Sequence, residues 1–102
     1  MEAPLLKQTP QTLRQVAATK VGAVQNFQTS VGAVPLDFSL LCSSVSSLAG
    51  YSSHANYAAA NAALDAYAVR QSGIGGPTIS VQWGAWSAIG TLNLPVHHTN
   101  LL

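Results

Sequence analysis

Two polar side chains stand out in the run LLCSSVSSLAGYSSHANYAAANAAL at residues 40–64. They are Tyr57 and Asn61, four positions apart in an alanine-rich segment. On an α-helix that spacing puts both on the same side, one turn apart. Ahead of them, apolar residues ending at Cys42 read as the close of a buried strand, followed by a loop rich in serine around Gly50. A strand end, a small-residue loop and a helix with two polar groups aimed back at that loop form a place for chemistry. The carboxyl edge of an open parallel sheet is where α/β folds put their ligands, so this junction is the expected place for chemistry.

A third candidate comes from the preceding segment. Leu13, Val16, Ala17, Val24 and Phe27 recur at helical spacing and fall in one stripe roughly 100° wide. Lys20 lies inside that stripe, not opposite it. Burying an unpaired ammonium is costly, so an inward lysine needs a partner or a job; the bland alternative is a side chain that snorkels from the edge of the face.

The elements that must position these groups can be read in order. Thr9-Pro10 is a helix opening, a hydroxyl cap followed by Pro at the first position, and the helix runs to about Thr29 before Gly32 breaks it. Residues 36–42, LDFSLLC, are short, apolar and bounded by turn signals, as a buried parallel strand would be. Cys42 then packs as a small buried hydrophobe. Ser52 or Ser53 caps a second helix from about His54 to Gln71, ending at Gly73. Thr78 to Trp83 form a second strand, and residues 84–90 a loop. Helix, strand, helix, strand with short links is the pattern of a doubly wound α/β sheet.

At 102 residues the chain makes at most one domain, and only 7% of it is charged. So little charge leaves much surface that suits being covered by more protein. No stretch approaches 18 apolar residues, so no membrane partner is expected. Net charge is +1, which gives no footprint for nucleic acid. A single cysteine fits a reducing compartment and a cytoplasmic location. His97 and His98 are adjacent, not at ligand spacing, so no metal is expected.

Three segments carry a family resemblance: TPQTLRQVAATKVGAVQNF, FSLLCSSVSSLAGYSSHANYAAANAALDAYA and ISVQWGAW. In order and spacing the chain resembles the C-terminal half of a ketoreductase domain from a modular polyketide synthase, within the short-chain dehydrogenase/reductase superfamily. Ordinary members of that superfamily carry Tyr and Lys four apart on one helix. Here the second position is Asn61 and the lysine is Lys20 on the preceding helix, an exchange typical of polyketide and animal-type fatty acid synthase ketoreductases.

The resemblance implies a catalytic tetrad of Lys20, Ser44, Tyr57 and Asn61. Tyr57 would give its proton to a ketone oxygen as hydride reaches the carbonyl carbon. A free phenol, with a pKa near 10, is poorly matched to that task, and a neighbouring ammonium favours phenolate. Ser44, chosen over Ser43 by its distance to Tyr57, would hold the carbonyl, and Asn61 would anchor the lysine or a water. Trp83 and Gly84, with Trp86, resemble the loop beside the nicotinamide of NADPH. The implied reaction is NADPH-dependent reduction of a β-ketoacyl thioester carried on an acyl carrier protein. Tyr67 and Ser46, Ser47, Ser52 and Ser53 read as packing, loop and capping residues.

The departures matter too. No G-x-G-x-x-G precedes residue 9, so the resemblance implies a Rossmann-like half-domain over residues 1–90, with the N-terminal nucleotide-binding half as a required partner and residues 91–102 as an irregular tail. The segment at Met1-Glu2 falls near a stereochemical signature of the family, and Ala49 stands where one stereochemical class has Trp. An alternative reading is a non-catalytic remnant or interaction module that pairs with a separate dinucleotide-binding chain. A generic reductase of small alcohols is disfavoured by Asn61.

Overall fold

A computed structural model describes residues 3–50 and 52–85. The expected tail, His97-His98, Trp86, the rest of the loop to residue 90 and the Met1-Glu2 segment lie outside the described residues.

After a single 3-10 turn at Leu5–Lys7, α1 spans Pro10–Ala17. Thr9 and Thr12 form a reciprocal cap: the Thr12 N–H donates to Thr9 Oγ1 at 3.1 Å, and the Thr9 N–H to Thr12 Oγ1 at 2.9 Å. The helix then widens into a π-helical turn at Ala18–Gly22, where the Ala23 N–H reaches back five residues to the Ala18 carbonyl. It resumes as α2, Ala23–Val31, and stops at Gly32, whose φ of +57° favours glycine. Lys20 sits within the π turn, a departure from α geometry that often marks functional positions.

Strand β1 (Ser39–Ser44) leads through a four-residue helix, α3 (Ser46–Ala49), to α4 (Ala55–Gly73) and then β2 (Thr78–Trp83). The two strands pair in parallel from Ser39 opposite Thr78 to Ser44 opposite Trp83. β1 therefore starts three residues later than the hydrophobic run suggests and reaches two residues further. The cause is its partner. Pro77 has no N–H to donate, so the ladder opens at Thr78, with the Ser39 N–H on the Pro77 carbonyl at 2.6 Å. It closes where the Val45 N–H meets the Trp83 carbonyl at 3.0 Å.

α4 covers one face of this sheet. Leu41, Leu64 and Ala68 form the core there, with Val24 and Tyr67 packed against it. Strand alternation turns Leu41 and Ser43 toward the helices and Leu40 and Cys42 away. The other face is bare: Leu40 is 49% exposed and Ile79, its register partner, 58%. Cys42 is consequently exposed, which corrects the expectation that it is buried. The stripe on α1 and α2 is also only partly used. Val16 is buried, while Leu13 and Phe27 are exposed, because α4 is the layer these helices meet. Neither Ser52 nor Ser53 caps α4. Ser53 has a φ of +69° and His54 holds the cap position, its Nδ1 2.9 Å from the Ser52 carbonyl. Among the described residues, no helix is long and apolar enough to cross a membrane, and no group of three metal-ligating side chains is assembled.

Candidate active site

Tyr57 lies in the first turn of α4, near the carboxyl ends of both strands, and is half-buried. The π turn brings Lys20 to it. The ammonium stands 5.5 Å from the centroid of the Tyr57 ring and donates to the Cys42 carbonyl at 3.0 Å. One hydrogen bond to a strand carbonyl fixes the cation where the phenol is, two residues before Ser44. A cation at this distance from the ring is attracted by its π face.

Asn61 is completely buried, at 0% exposure. Its Nδ2 donates to the Tyr57 carbonyl at 2.9 Å, within the helix and not toward Lys20. Its Oδ1 is buried without a hydrogen-bond partner among the described residues. A buried acceptor left unsatisfied is costly, so it suits a donor brought by the working site.

The two adjacent serines divide their roles. Ser43, 3% exposed, donates to the Asn61 carbonyl at 3.2 Å and ties β1 to α4. Ser44 Oγ instead accepts from the Ser46 N–H at 3.2 Å and from the Ser46 hydroxyl at 3.0 Å. With its lone pairs so engaged, its proton is available to an outside acceptor such as a carbonyl oxygen. None of these Ser44 bonds goes to Lys20, Tyr57 or Asn61. The structure thus sets Lys20 beside the Tyr57 ring, turns the Asn61 amide to the Tyr57 backbone carbonyl, and leaves Ser44 at the same end of the sheet.

Trp83 and Gly84 close β2 beside Ser44. The Trp83 carbonyl is occupied by Val45, whereas a Cβ added at Gly84 would meet nothing within 4 Å. A separate cavity of about 340 Å³, lined by Phe27, Val31, Pro35, Gln71 and Pro77 among others, lies at the amino ends of the strands. It contains none of the groups above and sits at the wrong edge for an α/β active site.

Sequence reasoning missed two residues. Asn56 is 2% exposed, and its Nδ2 donates to the Thr12 carbonyl at 3.2 Å while its Oδ1 accepts from the Tyr57 N–H at 3.1 Å, fastening the first turn of α4 to α1. Asp65 gathers three side-chain donors. Its signal was available: a lone carboxylate at four residues from Asn61, with Ser80 and Gln82 alternating on the strand behind.

Comparison with known proteins gives consistent likenesses. The KR domain family profile matches residues 1–88. Polyketide synthase GfsB of Streptomyces halstedii is 43% identical over 76 residues, which cover 74% of this chain and 1% of that protein. Polyketide synthase PksN of Bacillus subtilis (strain 168) is 37% identical over 92 residues, 84% of this chain and 2% of that one. A solved A1-type ketoreductase superposes with a TM-score of 0.84 at 33% identity, over 92% of this chain and 20% of that chain. The first ketoreductase of the tylosin polyketide synthase does so with a TM-score of 0.78, also at 33% identity, over 89% of this chain and 21% of that chain. This chain therefore spans about a fifth of the ketoreductase structures it matches.

Proposed function

The chain belongs to the KR domain family of polyketide synthases, with its Rossmann-like α/β fold, and we propose that it supplies the proton-transfer half of a β-ketoacyl reductase site. The substrate is a β-ketoacyl thioester on an acyl carrier protein, the product the β-hydroxyacyl thioester. Trp83 and Gly84 would hold the nicotinamide end of NADPH, which when bound supplies the hydride. The remaining work falls to this chain. Ser44 donates a hydrogen bond to the ketone oxygen and holds it toward Tyr57. As the carbonyl carbon accepts hydride, Tyr57 gives its proton to that oxygen, and Lys20 stabilises the phenolate left behind. Solvent returns the proton to Tyr57, with Asn61 Oδ1 accepting from a donor on that route.

The observation that carries this reading is the ammonium of Lys20, held 3.0 Å from the Cys42 carbonyl and 5.5 Å from the centre of the Tyr57 ring. The bare sheet face favours a second reading, a non-catalytic module that docks on a separate dinucleotide-binding chain. Both readings need a partner, and one experiment separates them. The chain is mixed with the N-terminal half of a polyketide ketoreductase, and NADPH oxidation is followed with a β-ketothioester. NADPH fluorescence should show little binding to the chain alone and clear binding by the complex, with turnover. A complex that forms and binds NADPH but never turns over overturns the reductase reading.

A further inference from the structure

Asp65 is the one carboxylate on α4, two turns beyond Tyr57 and one beyond Asn61. Two elements, α3 and β2, converge on it. Ser47 of α3 donates to Oδ2 at 2.6 Å, Gln82 of β2 donates to the same oxygen at 2.8 Å, and Ser80 of β2 donates to Oδ1 at 2.6 Å. Gln82 also donates to the Ser47 hydroxyl at 3.0 Å, closing a ring of polar contacts. The register explains why β2 offers these two side chains. Ser80 pairs with Leu41 and Gln82 with Ser43, the two β1 residues turned toward α4. Burial raises the pKa of Asp65, but the hydrogen bonds from Ser47, Ser80 and Gln82 outweigh it and bring it down to about 2. The carboxylate is thus ionised at any pH at which a reductase works.

We propose that Asp65 is a positioning residue for the reductive site: it clamps the segment that follows Ser44 onto the helix that carries Tyr57 and so sets the separation of the two hydroxyls. The role rests on the reductase reading above. The path is short. Ser46, next to Ser47, holds Ser44 Oγ through both its N–H and its hydroxyl. α3 is only four residues long and has no side-chain cap, so helix formation alone does not hold it in place. Hydrogen bonds to a carboxylate are roughly twice as strong as neutral ones, and this one reaches α3 and β2 at once.

The test uses the complex of this chain with a ketoreductase N-terminal half, with rates expressed per NADPH-binding site. Asp65→Asn keeps the shape but removes the charge and one acceptor. It should lower kcat about ten- to a hundredfold, the scale of misplacing a reacting group by an ångström, with KM for the β-ketothioester little changed. The swap Asp65→Asn with Gln82→Glu returns a carboxylate–amide pair to the same place and should recover most of the lost kcat. Ser47→Ala should act in the same direction more weakly, and it decides the matter if Asp65→Asn does not fold. A merely structural Asp65 would lower the melting temperature and leave kcat per site untouched, and that result overturns the proposal. So does a loss that the swap restores in stability but not in kcat. Tyr57→Phe is run alongside. If it abolishes turnover while Asp65→Asn and Ser47→Ala do not, only the positioning role falls; if Tyr57→Phe is fully active, the reductase reading falls and takes this role with it.

Discussion

The two halves of α4 share a backbone, a wealth of alanine and one face toward the sheet, yet they bury different things. The front half, residues 55–61, buries Asn56 and Asn61 and presents Tyr57 to Lys20. The rear half buries Leu64 and Ala68 against Leu41, with Tyr67 beside them. Asp65 sits at the join and holds α3 and β2 to the helix. What differs is the surface across from each half. The front faces strand termini and the π turn, where carbonyls and hydroxyls are at hand. The rear faces the strand interior, where the helix meets the apolar side chain of Leu41. Polar side chains pack only where partners exist. Substitutions in the front half should therefore cost turnover, and those in the rear half stability.

The largest effect sharpens the first half of that contrast. In the reconstituted complex Tyr57→Phe removes the proton donor while keeping the ring, and turnover should fall about a hundred- to ten-thousandfold. Lys20→Ala should slow the same step by removing the cation that stabilises the phenolate. Because both residues serve one proton transfer, the double mutant should be little worse than the worse single mutant. Fully multiplicative losses in steady-state kinetics would mean that the two act in separate steps.

Leu64→Ala probes the rear half. Leu64 is 4% exposed and central to the core. Removing it should destabilise the chain by about 2–4 kcal/mol in urea unfolding. Turnover per folded site in the complex should stay near wild type. A large fall in kcat per site, with the chain still folded, would break the division between the halves.

Much of this arrangement was legible in the sequence, and the failures have causes that can be named. The helix opening at Thr9-Pro10, the α/β order and the Tyr57–Asn61 spacing are local signals, and the structure has those elements in that order. Lys20 stood out because it interrupts an apolar stripe. The start of β1 was misread because it depends on a proline just ahead of the other strand, 39 residues beyond Phe38 in the chain. Leu13, Phe27 and Cys42 were expected inside because periodicity reports which face is apolar, not whether anything covers it. The capping role expected of Ser52 or Ser53 failed because Ser53 takes up left-handed backbone before the helix begins. Asp65 escaped notice because its partners lie 18, 15 and 17 residues away, and only the register of β2 brings two of them to one side. Asn61 was legible as inward but not in its detail, since the amide turns to its own helix.

The smallest expected effect is the finest test of the comparison. Tyr57 and Tyr67 are both half-buried phenols on α4. The Tyr67 ring packs against the core, and its hydroxyl is buried with no hydrogen-bond partner. An unsatisfied buried hydroxyl contributes nothing to stability and carries a desolvation cost, so Tyr67→Phe should leave stability unchanged or raise it by up to about 1 kcal/mol. In a domain of this size that is an increase in melting temperature of no more than about 4–8 °C. Turnover in the complex should remain at the wild-type level. The same one-atom change thus has opposite consequences ten residues apart: at Tyr57 it removes the proton the reaction needs, and at Tyr67 it removes an oxygen the core would rather not hold. A clear drop in melting temperature for Tyr67→Phe would show that this hydroxyl is satisfied after all, and that the rear half of the helix also depends on a polar contact.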